Sequence, residues 1–516
     1  MDPALAVVHG VSKAGVVVAA LVAGAALVDP NTRRRVTWMA GALALAAVIL
    51  VQHISDTDQF RSITDDTAKA AVLIIGGLAL VSVLAVVFVR RPDTLPLAVV
   101  AALPFRIPVE AAGSTANLLV PLYVVIAAGA AALAWRRLLT RGAEPQESRP
   151  SALQWALAAY VVVYALQSLY SKDFDTALEQ VVFFLIPFAV LFGLLTEVRW
   201  SRELVVRCLG VALVLALVFV AIGFWEYQRR ELLWNPKVIA ANQFESYFRV
   251  NSVFWDPNIY GRFLMLVMLG ATAWMLWSRR PRVTLALGVV LAVLWAGLVL
   301  TFSQSSFAAL LAGLFVLAAL RWDVRRTAAV AAVGLAAAVI FVLAFQSTLK
   351  IDLGSNAGLN KVTSGRSDLI QGGVELFADR PLTGYGSGSF GRAFRQQRKG
   401  NQQEAVSASH TLPVTVGAEQ GLIGLAVYAA VLAAAFTTLL GNRMARAAPA
   451  ATDGVVRAAL AAMFCALVLH TMTYAAFLED PFTWVILALG LAFAPSAQLV
   501  VVRRSSHHAP PEPAPA

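Results

Sequence analysis

Apolar residues run along this chain in long blocks. Stretches of about 18 or more recur from Leu5–Val28 onward, each long enough to cross a bilayer core of roughly 30 Å as a helix. Only helices and closed barrels satisfy their backbone inside lipid, and these blocks lack the two-residue alternation of barrel strands. The pattern predicts an all-α polytopic membrane protein of about fourteen to fifteen spans. They fall near 5–28, 36–54, 68–89, 95–111, 117–135, 152–170, 178–196, 203–224, 259–277, 282–301, 305–320, 326–346, 411–440, 456–477 and 481–501. The fourth, 95–111, is interrupted by Pro104, Arg106 and Pro108 and reads as a broken or re-entrant helix. Leu5–Val28 has no basic n-region and no small-residue cleavage site, so it is kept as a span.

Composition agrees: 59% of the 516 residues are hydrophobic and 14% charged, which excludes an ordinary soluble globular protein. The net charge of +11 does not ask for a nucleic-acid partner. Much of it lies in short loops (Arg33–Arg35, Arg90–Arg91, Arg136–Arg137, Arg279–Arg280), which the positive-inside rule assigns to the cytoplasm. Cys208 and Cys465 fall inside apolar runs, so no disulfide or metal framework is expected. Three regions follow: N-terminal spans over 1–150, a membrane region over 151–500, and a Pro/Ala-rich, disordered cytoplasmic tail over 501–516.

Two long polar loops, 226–258 and 346–410, are assigned to the outer face. The second carries eight basic and five acidic residues, against the charge bias of that face, and the simplest reason is an anionic ligand such as phosphate. Within it, Thr363-Ser364-Gly365 can cap a helix with an apolar stripe of Leu369, Ile370, Val374 and Phe377, placing Arg366 in the first turn where free N–H groups favour an anion. Gly384-Tyr385-Gly386-Ser387-Gly388 reads either as a phosphate cradle or as a plain turn. Arg392, Arg395, Arg398 and Lys399 share one helical face, for substrate, lipid headgroups or solvent. His410 stands where the loop re-enters the membrane, either as a general base or as an interfacial cap. Glu419 lies about two and a half turns further on, to orient a group in the site or pair with a cation, while His470 reads as a satisfied bundle histidine. In the first loop Arg249 precedes Asp256-Pro257-Asn258, either of whose polar residues can cap the next span. Two outward Asp-x-Asp pairs, Asp56/Asp58 and Asp173/Asp175, give a metal-dependent alternative.

These residues, in this order, resemble the O-antigen ligase / O-antigen polymerase superfamily of membrane glycosyltransferases. The resemblance rests on Arg249 with Asp256-Pro257-Asn258, the Thr301-Phe302-Ser303 hairpin, Gly365-Arg366, Arg380-Pro381-Leu382-Thr383-Gly384-Tyr385-Gly386, and His410 followed by Glu419-Gln420-Gly421-Leu422-Ile423-Gly424. It covers about 150–480 and implies a GT-C-like helical bundle with a large extracytoplasmic loop. It also implies inverting, metal-independent transfer of a glycan, without a cofactor, from a polyprenyl-pyrophosphate carrier to a hydroxyl of a glycan, lipid or protein acceptor at the outer face of the inner membrane. His410 would be the base and Arg249 and Arg366 the pyrophosphate-binding arginines, with Arg380, Tyr385, Arg106, Asn258 and Glu419 binding substrate. Where relatives often read Ser-Arg-Gly in the hairpin, this chain has Ser303-Gln304-Ser305, so an arginine is absent there and Arg106 is a candidate replacement. A polymerase of the same superfamily shares the chemistry and differs in the acceptor. A transporter, from a different class, would carry ionisable groups near mid-membrane and inverted repeats.

Overall fold

The computed structural model describes residues 3–55, 57–111, 114–139, 149–233, 236–244, 247–344, 366–398, 408–441, 452–474 and 476–494. Among these residues, ten helices are long and apolar enough to cross a membrane, and three shorter apolar helices (Ser12–Val28, Ala152–Ser168 and Pro481–Ala492) join them. The chain is an all-α polytopic membrane protein, apart from one small hairpin. Helix starts follow the local sequence. Asp256 and Asp480 each accept a backbone N–H at a helix entrance and each precedes a proline in the first turn. Ser151 and Gln154 form a reciprocal capping box.

Every predicted span overlaps a helix, and the fourth is broken, as its prolines predict. In place of a crossing at 95–111, the helix Thr94–Ala102 ends after nine residues, about 13 Å and too short for a bilayer. An antiparallel hairpin of Ile107–Ala111 with Ser114–Leu118 follows, in the register Ile107 to Leu118. Pro104 and Pro108 cannot donate to a helix ladder, and the hairpin resolves that conflict.

The helices around Phe174–Thr196 and Pro257–Trp277 are the most enclosed. At the periphery, Thr67–Arg90 turns Val72, Ile74, Ile75 and Leu78 outward, as a lipid-facing helix must. The helix 174–196 contains a π-helical turn over Gln180–Leu185.

The 366–398 segment forms two helices, Arg366–Asp379 and Phe390–Arg398, packed through Leu376, Tyr385, Phe390, Phe394 and Ala418. Thr363, Ser364 and Gly365 lie outside the described residues, as do Lys399 and Asp56. Val374, expected on the apolar stripe, is exposed, and Leu376 is buried in its place.

Helix Leu412–Leu440 is broken at Gly421, whose φ of 63° and ψ of −158° no helix accommodates. The break frees backbone groups, and the Pro381–Gly386 turn takes them. Tyr385 and Gly386 donate to the Ala418 and Glu419 carbonyls at 3.1 and 2.7 Å, while Leu422 donates to the Pro381 carbonyl at 2.7 Å. Gly384 faces this seam with φ 65°, and a Cβ there would overlap the Glu419 carbonyl. The glycines of both motifs therefore serve one backbone joint.

Candidate active site

The joint decides what the Gly-rich turn does. The Gly388 and Phe390 N–H groups donate to the two carboxylate oxygens of Glu419 at 2.8 and 3.0 Å. The cradle read from the sequence is filled by the protein's own carboxylate, and the anion it holds is Glu419. Tyr385, between the Lys172 ammonium at 4.4 Å and the Arg380 guanidinium at 4.7 Å, donates to Asp379. Arg380 and Tyr385 sit at the far end of the Arg366–Asp379 helix, about 20 Å of helix from Arg366.

A second cluster forms at the near end of that helix. Arg249 is held from two sides: its Nε donates to the Thr301 carbonyl at 3.0 Å and its Nη2 to Asn258 Oδ1 at 3.3 Å. Its backbone is clamped by the Asn242 side chain. The Thr301 carbonyl is free to accept because its helix ends there, with Phe302 in the left-handed region. Burial and the neighbouring Arg249 both lower the proton affinity of Arg366, which stays cationic. Among the described residues neither arginine forms an ion pair.

His410 joins them. It adopts φ 59°, a left-handed conformation that costs a non-glycine residue about 1–3 kcal/mol and so is held there by its surroundings. Burial, then the Arg366 charge, lowers its pKa below the ordinary value of 6.5, against a smaller opposing effect of Asp256. At neutral pH the imidazole is therefore uncharged and able to accept a proton. Its ring lies 6.4 Å from that of Tyr474, whose hydroxyl bonds to Asp256. Asp256 itself accepts from the Asn258 N–H at 2.6 Å.

Beside His410 opens a cavity of about 250 Å³. Arg106, Glu419, Glu479 and Tyr474 line it, together with Arg262. Arg262 is an intramembrane cation that the loop-centred reading of the sequence overlooked. It is fully buried, pairs with Asp480, and donates to the Ala476 carbonyl at 3.2 Å and to His470 Nδ1 at 3.1 Å. A guanidinium can only donate, so His470 Nδ1 is the acceptor and its proton sits on Nε2, directed at Ser306 Oγ 3.2 Å away. Ser306 in turn meets Ser303 Oγ at 2.8 Å. The signal was present: an arginine inside an apolar run needs a partner, and Asp480 heads another helix.

Of the Asp-x-Asp pairs, Asp173 caps the helix Phe174–Glu179 with its side chain. Among the sequence-derived candidates, the fold thus brings Arg249, Asn258, Arg366 and His410 to one place, sets Arg106 and Glu419 on the adjoining cavity, and leaves Arg380 and Tyr385 on the far side of the turn.

Comparison with known families bears on this arrangement. Residues 287–429 match the model of the O-antigen ligase family. The match supports membership of the O-antigen ligase superfamily for this segment. No curated protein matches the chain. The matched O-antigen ligase segment contains Arg366, Arg380, Tyr385, His410 and Glu419, while Arg249, Asn258, Arg262 and His470 lie outside it and reach the site through the fold. The match supports membrane glycosyl transfer of ligase or polymerase type.

Proposed function

We propose that the protein transfers a glycan from a polyprenyl-pyrophosphate carrier to an acceptor hydroxyl, with inversion and without a metal, at the extracytoplasmic face of the inner membrane. The catalytic region is the 151–500 portion. The observation that carries this reading is the meeting of Arg249 and Arg366: two cations that disfavour one another, neither neutralised by a carboxylate among the described residues. Such a pair is stabilised by a polyanion between them, and a pyrophosphate supplies one.

The chemistry then follows from the neighbours. The acceptor oxygen attacks the anomeric carbon as the bond from that carbon to the phosphate oxygen breaks. The electron pair leaves with the pyrophosphate, whose growing charge the two guanidiniums stabilise. The acceptor proton passes to the neutral His410 imidazole. Direct displacement inverts the anomeric centre. Asn258 and the Thr301 carbonyl fix the direction of Arg249. Arg106 adds positive potential from the cavity side, and Glu419 keeps the turn that carries Tyr385 and Arg380 in place, where those two residues meet the more distant part of the glycan.

The test is transfer by purified protein in liposomes from polyprenyl-pyrophosphate-linked glycan to a panel of acceptors, with EDTA present. Activity should survive the chelator and fall below detection in folded His410→Ala and Arg366→Ala variants. Full activity of His410→Ala would remove the base from this scheme, and loss with EDTA would favour a metal-dependent reaction. The productive acceptor separates ligase from polymerase.

A further inference from the structure

The loop that carries Arg249 is held by a carboxylate that the scheme above does not use. Phe219, Gly223 and Glu226 recur at helical spacing along the helix Arg202–Arg229, so they share one face. That face receives residues 250–254. Phe254 meets Phe219 edge to face, with ring centroids 5.5 Å apart. Val250 packs over Gly223. Ser252 Oγ donates to the Phe219 carbonyl at 2.9 Å. Glu226 completes the stripe. Its Oε2 accepts from the N–H groups of Asn251 at 3.2 Å and Ser252 at 2.8 Å, and its Oε1 accepts from the Leu233 N–H at 3.2 Å.

Glu226 is fully buried, and among the described residues it forms no ion pair. A buried carboxylate without a cation is costly, and it persists where other donors satisfy it. Three donors on two oxygens also select the residue type, because a carboxylate offers two acceptor oxygens and a glutamine only one. The loop is bent to match. Ser252 adopts φ 51°, a left-handed conformation that a non-glycine residue keeps only where its surroundings impose it. In this conformation two successive N–H groups converge on one oxygen.

The consequence falls on Arg249. The Val250 N–H donates to the Leu300 carbonyl at 3.1 Å, next to the Thr301 carbonyl that takes Arg249 Nε. The chain is thus fixed immediately after the arginine from two sides, by the end of one helix and by Glu226 of another. Without the carboxylate, the Asn251 and Ser252 amides lose their acceptor, and Ser252 loses the contact that holds it left-handed. The Arg249 backbone, two residues before Asn251, then loses that support.

From this geometry we infer that Glu226 is a positioning residue for Arg249, fixing through the Asn251 and Ser252 amides where the guanidinium meets its anionic ligand. The clamp is a property of the fold, while its use in catalysis rests on the reading of Arg249 as a pyrophosphate-binding arginine.

The experiment is a double-variant cycle on the affinity for inorganic pyrophosphate, measured by isothermal titration of the full-length protein in phosphatidylcholine nanodiscs. Glu226→Met removes both acceptor oxygens and should weaken binding about tenfold. Glu226→Gln keeps one oxygen and should lose less. In an Arg249→Gln background, Glu226→Met should cause no further loss, because it acts through that arginine. A carboxylate that only stabilised the fold would lower the stoichiometry and leave the dissociation constant unchanged. Phenylglyoxal labelling, read by mass spectrometry, follows the arginine without any ligand. Glu226→Met should speed labelling of Arg249 and leave that of the buried Arg262 as it is. If Glu226→Met fails to fold, Glu226→Gln carries both measurements. Additive losses, an unchanged dissociation constant, an unchanged Arg249 labelling rate, or equal acceleration at Arg262 would each overturn the inference. If wild type binds no pyrophosphate, the pyrophosphate reading of Arg249 fails and labelling alone decides the clamp: a faster rate at Arg249 upholds it, and an unchanged rate overturns it.

Discussion

The buried pair of Arg262 and Asp480 offers the sharpest energetic test. Both side chains are only 2% exposed. Removing one partner strands the other as an uncompensated buried charge, which costs about 3–5 kcal/mol. Arg262→Met should therefore destabilise by that amount. Asp480→Leu should cost roughly 1 kcal/mol more, because Asp480 Oδ1 also caps its helix at 3.0 Å from the Phe482 N–H. The double variant removes both charges together, leaving only the lost cap and the lost Arg262–His470 hydrogen bond, roughly 2–3 kcal/mol in all. Additive effects would instead sum to roughly 7–11 kcal/mol. Unfolding in mixed micelles, followed by tryptophan fluorescence, measures all three variants. Additivity within about 0.5 kcal/mol would refute the pairing. The same variants test what the pair does. Arg262 fixes the tautomer of His470, His470 holds Ser306, and Ser306 anchors the hairpin whose Thr301 carbonyl aims Arg249. We expect the folded double variant to lose transfer activity at least tenfold through misplacement of Arg249. Full activity would show that the network stabilises the bundle without orienting the arginine.

The remaining expectations concern the base and the joint. Since burial and Arg366 lower the His410 pKa, its neutral form persists below pH 6.5 and is lost only as pH falls through the lowered value. Arg366→Met removes a cation and should move the His410 titration to higher pH, whereas Asp256→Asn removes an anion and should move it lower. Diethyl pyrocarbonate reactivity of His410 against pH reads this without requiring activity, and shifts in the same direction would contradict the electrostatics. Gly384→Ala should cost about 1–2 kcal/mol for its left-handed φ and about 1–3 kcal/mol for overlap with the Glu419 carbonyl. Trypsin should then cut faster at Arg392, Arg395 and Arg398, and an unchanged rate would mean that the turn is not docked as described. Glu419→Gln leaves the Gly388 or Phe390 N–H unpaired, about 1–3 kcal/mol, and hydrogen exchange at those two amides should speed up. Equal protection would argue against a carboxylate holding the turn.

Much of the architecture was legible in the sequence because membrane helices announce themselves by length and composition. The fourth run reads as broken because Pro104 and Pro108 interrupt it, and the backbone obeys them; only the hairpin that follows the short helix was not foreseen. At the site, Arg249, Arg366 and His410 could be named because they stand in polar loops, where charge is conspicuous. Their meeting could not, since it depends on how a loop before one helix folds over the end of another. Arg262 escaped through the opposite bias. It lies one turn inside an apolar helix, and its partner Asp480 is distant in sequence. The role of Gly384-Tyr385-Gly386-Ser387-Gly388 was hidden by its own ambiguity, because a turn that can bind a phosphate can equally bind a carboxylate from the next helix.

Charge accounting ties these residues into one argument. Four arginines approach the site from four parts of the chain, and the fold treats them differently. Arg262 is neutralised by Asp480 and so acts by geometry, through His470 and Ser306. Arg249 and Arg366 keep their charge, and each is positioned by neutral groups or by a helix start. Arg106, delivered by the segment that the prolines stop from crossing the membrane, lines the same cavity as Arg262 and Tyr474. The hairpin at Ser303-Gln304-Ser305 contributes no cation, yet its serines receive the end of the Arg262 relay. A hairpin without an arginine is then consistent with a charged site: hydroxyls pass on the orientation, and cations from elsewhere carry the field. A polyanion at Arg249 and Arg366 would complete the balance, relieving the repulsion between them and, through it, part of the pressure that keeps His410 uncharged. The base would thus be held neutral until the leaving group arrives and would become more basic once its negative charge is bound.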